Sequence, residues 1–291
     1  MRLLHYSIGG GPVRIGARQG EAVIDVARAY ARANMSGSLP PTIDGLLREG
    51  ALAKIAPVIS GAGRDLAVDM SRAHVHSPIL TPQKILGVGL NYVDHTQETG
   101  TQVPGEPIFF AKWGNTVSGP TDPIRMPKVT KELDWEGELV FVIGKPGRDI
   151  SEDDAMGHVA GYTVGNDVSA RDWQIRKPQR QWLLGKTFDT FCPMGPDLVT
   201  VDEIPDPYAL QLKCEVSGEV MQDAVTDLHF KIPTLVSYVS QVVTLEPGDV
   251  FLTGTPGGVG MGRTPPRWLQ PGDVVVTSIE GLGSMRNPVV A

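Results

Sequence analysis

The feature that most constrains this chain is its punctuation: of 291 residues, 34 are glycine and 24 are proline. That is about a fifth of the sequence, against a usual share of about 12%. Each glycine inside a helix costs about 1 kcal/mol and each proline about 3. The pattern therefore fits many short strands joined by turns better than a helical bundle. Hydrophobic residues at 41% and charged residues at 20% supply a real core and argue against disorder. The net charge of −7 comes without a Lys/Arg stripe, which argues against a nucleic-acid partner. The segment from Met1 to Gly10 lacks the apolar stretch of a leader, and no apolar run approaches the roughly 18 residues of a membrane span. Cys192 and Cys214 are too few for a disulfide framework and lack metal-ligand spacing, and Cys192 reads as a buried inert thiol rather than a nucleophile. These readings together predict a soluble, cytoplasmic enzyme with no membrane partner.

Two regions differ in texture. In the first, residues 1–77, short strands are expected at Arg2–Ile8, 13–18 and 21–26, with helices at 25–33, 42–50 and 51–60, the second opened by a Thr42 cap. This stretch carries no clustered polar chemistry and is expected to be a small N-terminal α+β supporting domain. Residues 83–291 are richer in strand patterns, at 84–89, 108–113, 136–143, 161–168, 210–217, Glu219–Val225, 251–253 and 275–279, with helices expected at 151–159 and 232–245. Pro-Gly-Asp-Val occurs at both 247 and 271, each time as a turn feeding an apolar strand.

Several patterns can carry chemistry. In Asp134-Trp135-Glu136-Gly137-Glu138-Leu139-Val140, strand alternation places Glu136 and Glu138 on one face, about 6.5–7 Å apart. An isolated Glu-x-Glu is ordinarily a solvated acidic edge. Here Val140 and Val142 continue the same face, which implies burial, and buried carboxylates need a cation. Asp167, at the polar end of an apolar strand, is a candidate third carboxylate, with Arg171 and Gln174 following as donors for a substrate carboxylate or as part of a plain ion pair. If the segment after Asn91 is helical, His95 and Glu98 face each other and form a general-base pair or an ordinary surface pair. Gly185-Lys186-Thr187 is not a phosphate loop, because position 180 is Arg, but Lys186 remains a cationic candidate in an aromatic setting. The Gly-rich turn around Thr255 offers backbone N–H groups and a hydroxyl to an anion.

Taken in order, Asn91-Tyr92-x-Asp94-His95, Asp134-Trp135-Glu136-x-Glu138, Asp167-x-Ser169-Ala170-Arg171-Asp172, Gly185-Lys186-Thr187-Phe188-Asp189 and Gly254-Thr255-Pro256-x-Gly258-Val259-Gly260 resemble the fumarylacetoacetate hydrolase (FAH) superfamily. The likeness is to its bacterial acylpyruvate-hydrolase-like members and covers residues 83–291. It implies a strand-rich, mixed α/β fold of the FAH β-sandwich roll type, assembled as a homodimer. It also implies Mg²⁺ or Mn²⁺ on Glu136, Glu138 and Asp167. Arg171, Gln174, Lys186 and Thr255 would grip the 2-oxo-acid end of a small-molecule substrate, and His95 with Glu98 would form a dyad on a lid helix. Two departures bear on the distal end of that substrate. Trp113-Gly114-Asn115 stands where a proline-containing stretch is expected, and residues 176–180 form a basic loop. In that loop Arg176 or Arg180 could bind a second carboxylate, or the loop is simply solvated.

The function expected from these residues is metal-dependent C–C hydrolysis of an acylpyruvate or related 2,4-diketo acid, with His95 as base, Glu98 orienting it and Lys186 stabilising the enolate. The rivals are a decarboxylase or isomerase of oxaloacetate or an unsaturated 2-oxo acid, a Schiff-base enzyme built on Lys186, and a binding module that retains the fold without turnover.

Overall fold

The strand Gly137–Ile143, buried along its whole length, organises the molecule, here a computed structural model that describes residues 1–92 and 104–291. Leu139, Phe141 and Ile143 enter one apolar core, while Val140 and Val142 enter another on the opposite face. A strand buried on both faces must lie centrally in a covered sheet. It does, in an eleven-stranded sheet whose main path runs Ala22–Asp25, Arg14–Gln19, Arg2–Ile8, Cys192–Thr200, Val159–Asn166, Gly137–Ile143, Val250–Leu252, Ile85–Gly89 and Ile108–Lys112. Most neighbours are antiparallel; Val250–Leu252 and Ile85–Gly89 run parallel.

One face of this sheet is covered by the helices Val26–Arg32, Ile43–Arg48 and Leu52–Ser60, packed against Val140, Val142, Val250 and Leu252. The other is covered by the helix Ile232–Ser240 and by a five-stranded sheet of Glu219–Val225, Gln211–Val216, Val274–Ile279, Gly283–Val290 and Ile124–Arg125. The result is the expected strand-rich mixed sandwich. Residues 1–77 are joined to the rest through one sheet, since Arg2 and Leu3 pair with Val199 and Leu198.

Local chemistry explains the boundaries. Asp25 and Thr42 cap their helices by accepting from the Arg28 and Gly45 amides. The two Pro-Gly-Asp-Val turns are built alike. Gly248 and Gly272 take φ values of 92° and 100°, and Asp249 and Asp273 each accept from the amide three residues before. The helix expected over 232–245 stops at Ser240. The Ser240 hydroxyl accepts from the Ile150 amide, and Leu245 exchanges backbone hydrogen bonds with Gly147, so residues beyond the helix bond sideways instead of onward. The helix expected over 151–159 shrinks to Glu152–Ala155 and a 3₁₀ turn over Met156–His158, because the next strand already begins at Val159.

The nine-residue strand Cys192–Thr200 lies between Arg2–Ile8 and Val159–Asn166, and where it passes Gly161 the backbones approach closely. A Cβ on Gly161 would lie 2.3 Å from the Val199 carbonyl oxygen, a backbone atom with no freedom to swing away. Gly161→Ala is expected to destabilise the protein by about 1–3 kcal/mol through overpacking. Urea unfolding of both proteins checks this, and an unchanged midpoint would refute the close approach.

Candidate active site

Strand register brings the acidic residues together. Gly137 pairs with Asn166 in an antiparallel ladder, so the residues just outside that pair, Glu136 and Asp167, face each other, and the Asp167 amide donates to the Glu136 carbonyl at 2.8 Å. Glu138 lies two residues further along the same side. One carboxylate oxygen from each of Glu136, Glu138 and Asp167 lies within 4.8 Å of the others, and all three residues are buried.

Around this triad the chain places three buried cations. Lys186 Nζ lies 2.6 Å from Glu136 Oε2 and 2.7 Å from Asp167 Oδ2. Lys112 Nζ lies 2.5 Å from Asp167 Oδ1. Arg171 contacts Glu136 Oε1 at 2.6 Å through Nη2 and Asp134 Oδ2 at 2.8 Å through Nε, while its Nη1 donates to Gln174 Oε1 at 2.9 Å. Glu138 is held differently, accepting the Gly254 amide at 2.7 Å. Burial, and then the negative charges of Asp167 and Glu136, hold its carboxyl well above the ordinary glutamate range. Burial works to lower the Lys186 pKa, but Asp167 and Glu136 outweigh it and the net shift is upward, so the side chain is an ammonium. Three buried oxygen donors, one of them destabilised by the other two, fit a hard divalent cation, and the absence of Cys or His from the set does not favour Zn²⁺.

Glu136, Arg171, Gln174, Lys186 and Thr255 line one cavity of about 330 Å³. Its wall also includes Phe110 and Trp182, packed edge to face with ring centroids 5.8 Å apart, and the Lys186 ammonium sits 5.1 Å from the Phe110 centroid. Every residue expected in the metal and substrate sets is therefore gathered in one place. Thr255 is already engaged, donating to the Gly137 carbonyl and accepting from Gln222 Nε2, so its hydroxyl is a brace of the wall. His95 and Glu98 lie outside the described residues. Asn91, from the same motif, joins the segment before them to the sheet: its side chain donates to the Thr253 carbonyl at 2.8 Å and accepts from the Phe230 amide at 2.6 Å.

Three functional neighbours escaped the sequence reading. Lys112 ends an apolar strand, and a lone lysine after Ile108-Phe109-Phe110-Ala111 was the available signal. Asp134 was quoted in a motif without a role; it accepts the Gly260 and Met261 amides and the Arg171 guanidinium, locking the loop after Thr255 to the arginine. Gln222 gave no signal, yet it accepts from the Gly137 amide and donates to Thr255 and Pro256. Cys192 is buried, and burial above all pushes its thiol up to about 12, which removes it as a nucleophile.

Residues 84–290 match the family model described as fumarylacetoacetate (FAA) hydrolase, C-terminal. The chain belongs to this family. Among curated FAH-family relatives it is 55% identical over 224 residues to the mitochondrial oxaloacetate tautomerase of Xenopus laevis, covering 76% of this chain and 70% of that one. It is 49% identical over 259 residues to a mitochondrial oxaloacetate tautomerase of Homo sapiens, covering 87% and 81%. Among solved structures, the fumarylacetoacetate hydrolase of Exiguobacterium antarcticum superposes with a TM-score of 0.85 at 35% identity, covering all of both chains. The maleylpyruvate hydrolase of Sphingobium sp. SYK-6, solved with manganese(II) and pyruvate, gives a TM-score of 0.78 at 31% identity, covering 100% of this chain and 99% of that one. These relatives correct one expectation. The cytoplasmic location read from the sequence is overturned by curated relatives that are named as mitochondrial proteins. No helix among the described residues is long and apolar enough to cross a membrane.

Proposed function

We propose that this FAH-family enzyme interconverts the enol and keto forms of oxaloacetate. The observation that carries the reading is the cavity in which a charged Lys186 and Arg171 flank a buried acidic triad, an arrangement suited to a 2-oxo acid and its enolate. The tautomerase names of the curated relatives support it. The chemistry also asks less of the site than C–C hydrolysis does, since no water need be activated.

Glu136, Glu138 and Asp167 would hold Mg²⁺ or Mn²⁺, which would supply Lewis-acid polarisation to the 2-oxo group. Arg171 has five N–H donors, of which two are hydrogen-bonded to Asp134 and Gln174, and Gln174 keeps its amide NH₂ free of Arg171; both are assigned to the 1-carboxylate. Lys186 has three donors, two of them on carboxylates, and the third is assigned to the C2 oxygen. The enol O–H proton leaves that oxygen for a base, the Lys186 ammonium offsets the enolate charge, and C3 takes a proton back from the same base. His95, oriented by Glu98, is assigned as that base from the sequence pattern.

The test follows decay of the oxaloacetate enol absorbance with Mg²⁺, with and without chelator, beside an acylpyruvate. Enzyme-accelerated ketonisation is expected, falling by roughly 10²–10⁴-fold in His95→Ala. Rapid acylpyruvate cleavage with no acceleration of ketonisation would replace this reading by the hydrolase one, which the likeness to maleylpyruvate hydrolase favours.

A further inference from the structure

We infer that Arg180 is a specificity-determining residue that receives the second carboxylate of the substrate, making the site selective for short 2-oxo dicarboxylates; this assignment rests on the tautomerase reading above. The loop over residues 176–180 contains three cations, and the fold uses them differently. Arg176 is spent on Glu132, with contacts of 3.0 and 2.7 Å. The Lys177 ammonium sits 4.5 Å over the Trp173 ring. Arg180, an exposed residue, makes no ion pair among the described residues and lines the cavity shared with Arg171 and Lys186.

The backbone holds it there. Gln179 and Arg180 take φ values of 62° and 53°, a left-handed conformation that side-chain-bearing residues seldom adopt. The turn is closed by the Arg180 amide on the Lys177 carbonyl at 3.1 Å and the Trp182 amide on the Arg180 carbonyl at 2.9 Å. The inner cations are already matched to carboxylates, so a ligand with one carboxylate at Arg171 and Gln174 leaves Arg180 as the guanidinium for a second. Its planar fork suits a carboxylate in two-pronged contact. The cavity, at about 330 Å³, is near the small end of the roughly 300–1,000 Å³ typical of small-molecule sites. That volume suits a four-carbon diacid better than a long acyl chain.

The experiment compares wild type, Arg180→Ala and Arg180→Lys, each loaded with Mn²⁺. Calorimetry measures binding of pyruvate, which has one carboxylate, and of 3,3-difluorooxaloacetate, which has two and cannot enolise. Arg180→Ala should lose roughly 10–100-fold in affinity for the difluoro diacid, as expected for a charge-assisted pair at a partly solvated position. Pyruvate affinity should stay the same, and Arg180→Lys should recover part of the loss. In turnover, KM for enol-oxaloacetate should rise with little change in kcat. Equal losses for both ligands, or none for the diacid, would overturn the assignment. Failure of the wild type to ketonise oxaloacetate would remove the tautomerase reading, while the binding comparison would still decide the role of Arg180.

Discussion

Glu138→Gln is expected to be more stable than wild type in the absence of metal and no longer stabilised by Mg²⁺ or Mn²⁺. In the fold, burial and the neighbouring Asp167 and Glu136 raise the Glu138 carboxyl well above its ordinary 4.5. The native state therefore holds a proton that the unfolded chain gives up, and the free energy of unfolding falls as pH rises from 4.5 through the raised native value. Glutamine removes that charge while its amide oxygen can still accept the Gly254 amide, the contact Glu138 makes at 2.7 Å. With metal the order should reverse. A cation at 100 times its dissociation constant adds about 2.7 kcal/mol to the wild type, and the variant should lose most of that gain. Melting curves across pH, with chelator or with added metal, provide the measurement. A variant that remained metal-stabilised would remove Glu138 from the ligand set, and one less stable than wild type under chelator at neutral pH would refute the cost assigned to its buried carboxyl.

Lys186→Ala is expected to lower turnover by roughly 10²–10³-fold, the scale of losing one charged donor from a developing oxyanion. The side chain is buried, which alone would favour a neutral amine, but Asp167 and Glu136 at 2.7 and 2.6 Å keep it charged. A lysine locked as an ammonium is a poor nucleophile, so borohydride should trap no adduct with oxaloacetate. Metal affinity of the variant, read by its thermal shift, separates loss of the donor from collapse of the triad. A trapped adduct at Lys186 would move the enzyme to the Schiff-base class.

Much of this site was legible because strands alternate. Glu136 and Glu138 could be placed on one side, and Val140 and Val142 on that side announced burial. What no periodicity reveals is register: the opposition of Glu136 and Asp167 depends on Gly137 pairing with Asn166, a choice made between two separate strands. The strand Cys192–Thr200 was missed because Pro193 and Pro196 argue against a central strand. It is central all the same, its pairing resuming beyond each proline, at Met194 and Gly195 and again at Val199 and Thr200. Lys112 and Gln222 were missed because their roles lie wholly in tertiary contacts. The helix read over 232–245 ran too long because helical patterning cannot foresee the bonds that Ile150 and Gly147 offer from elsewhere.

The way the acidic triad is assembled also bears on how the protein folds. Lys112 reaches Asp167 across 55 residues, Lys186 reaches Glu136 across 50, and Gly254 reaches Glu138 across 116. Contacts of such sequence separation form late, after the loop entropy between them has been lost, and they give high contact order and slow folding. The three carboxylates lie within residues 136–167, but the groups that brace them come from Lys112, Lys186 and Gly254, so a collapsed intermediate with native strands but slipped pairing would lack the braced constellation. Uptake of Mn²⁺ during refolding should thus lag behind the recovery of secondary structure, reporting the docking of these distant segments on the central strand pair.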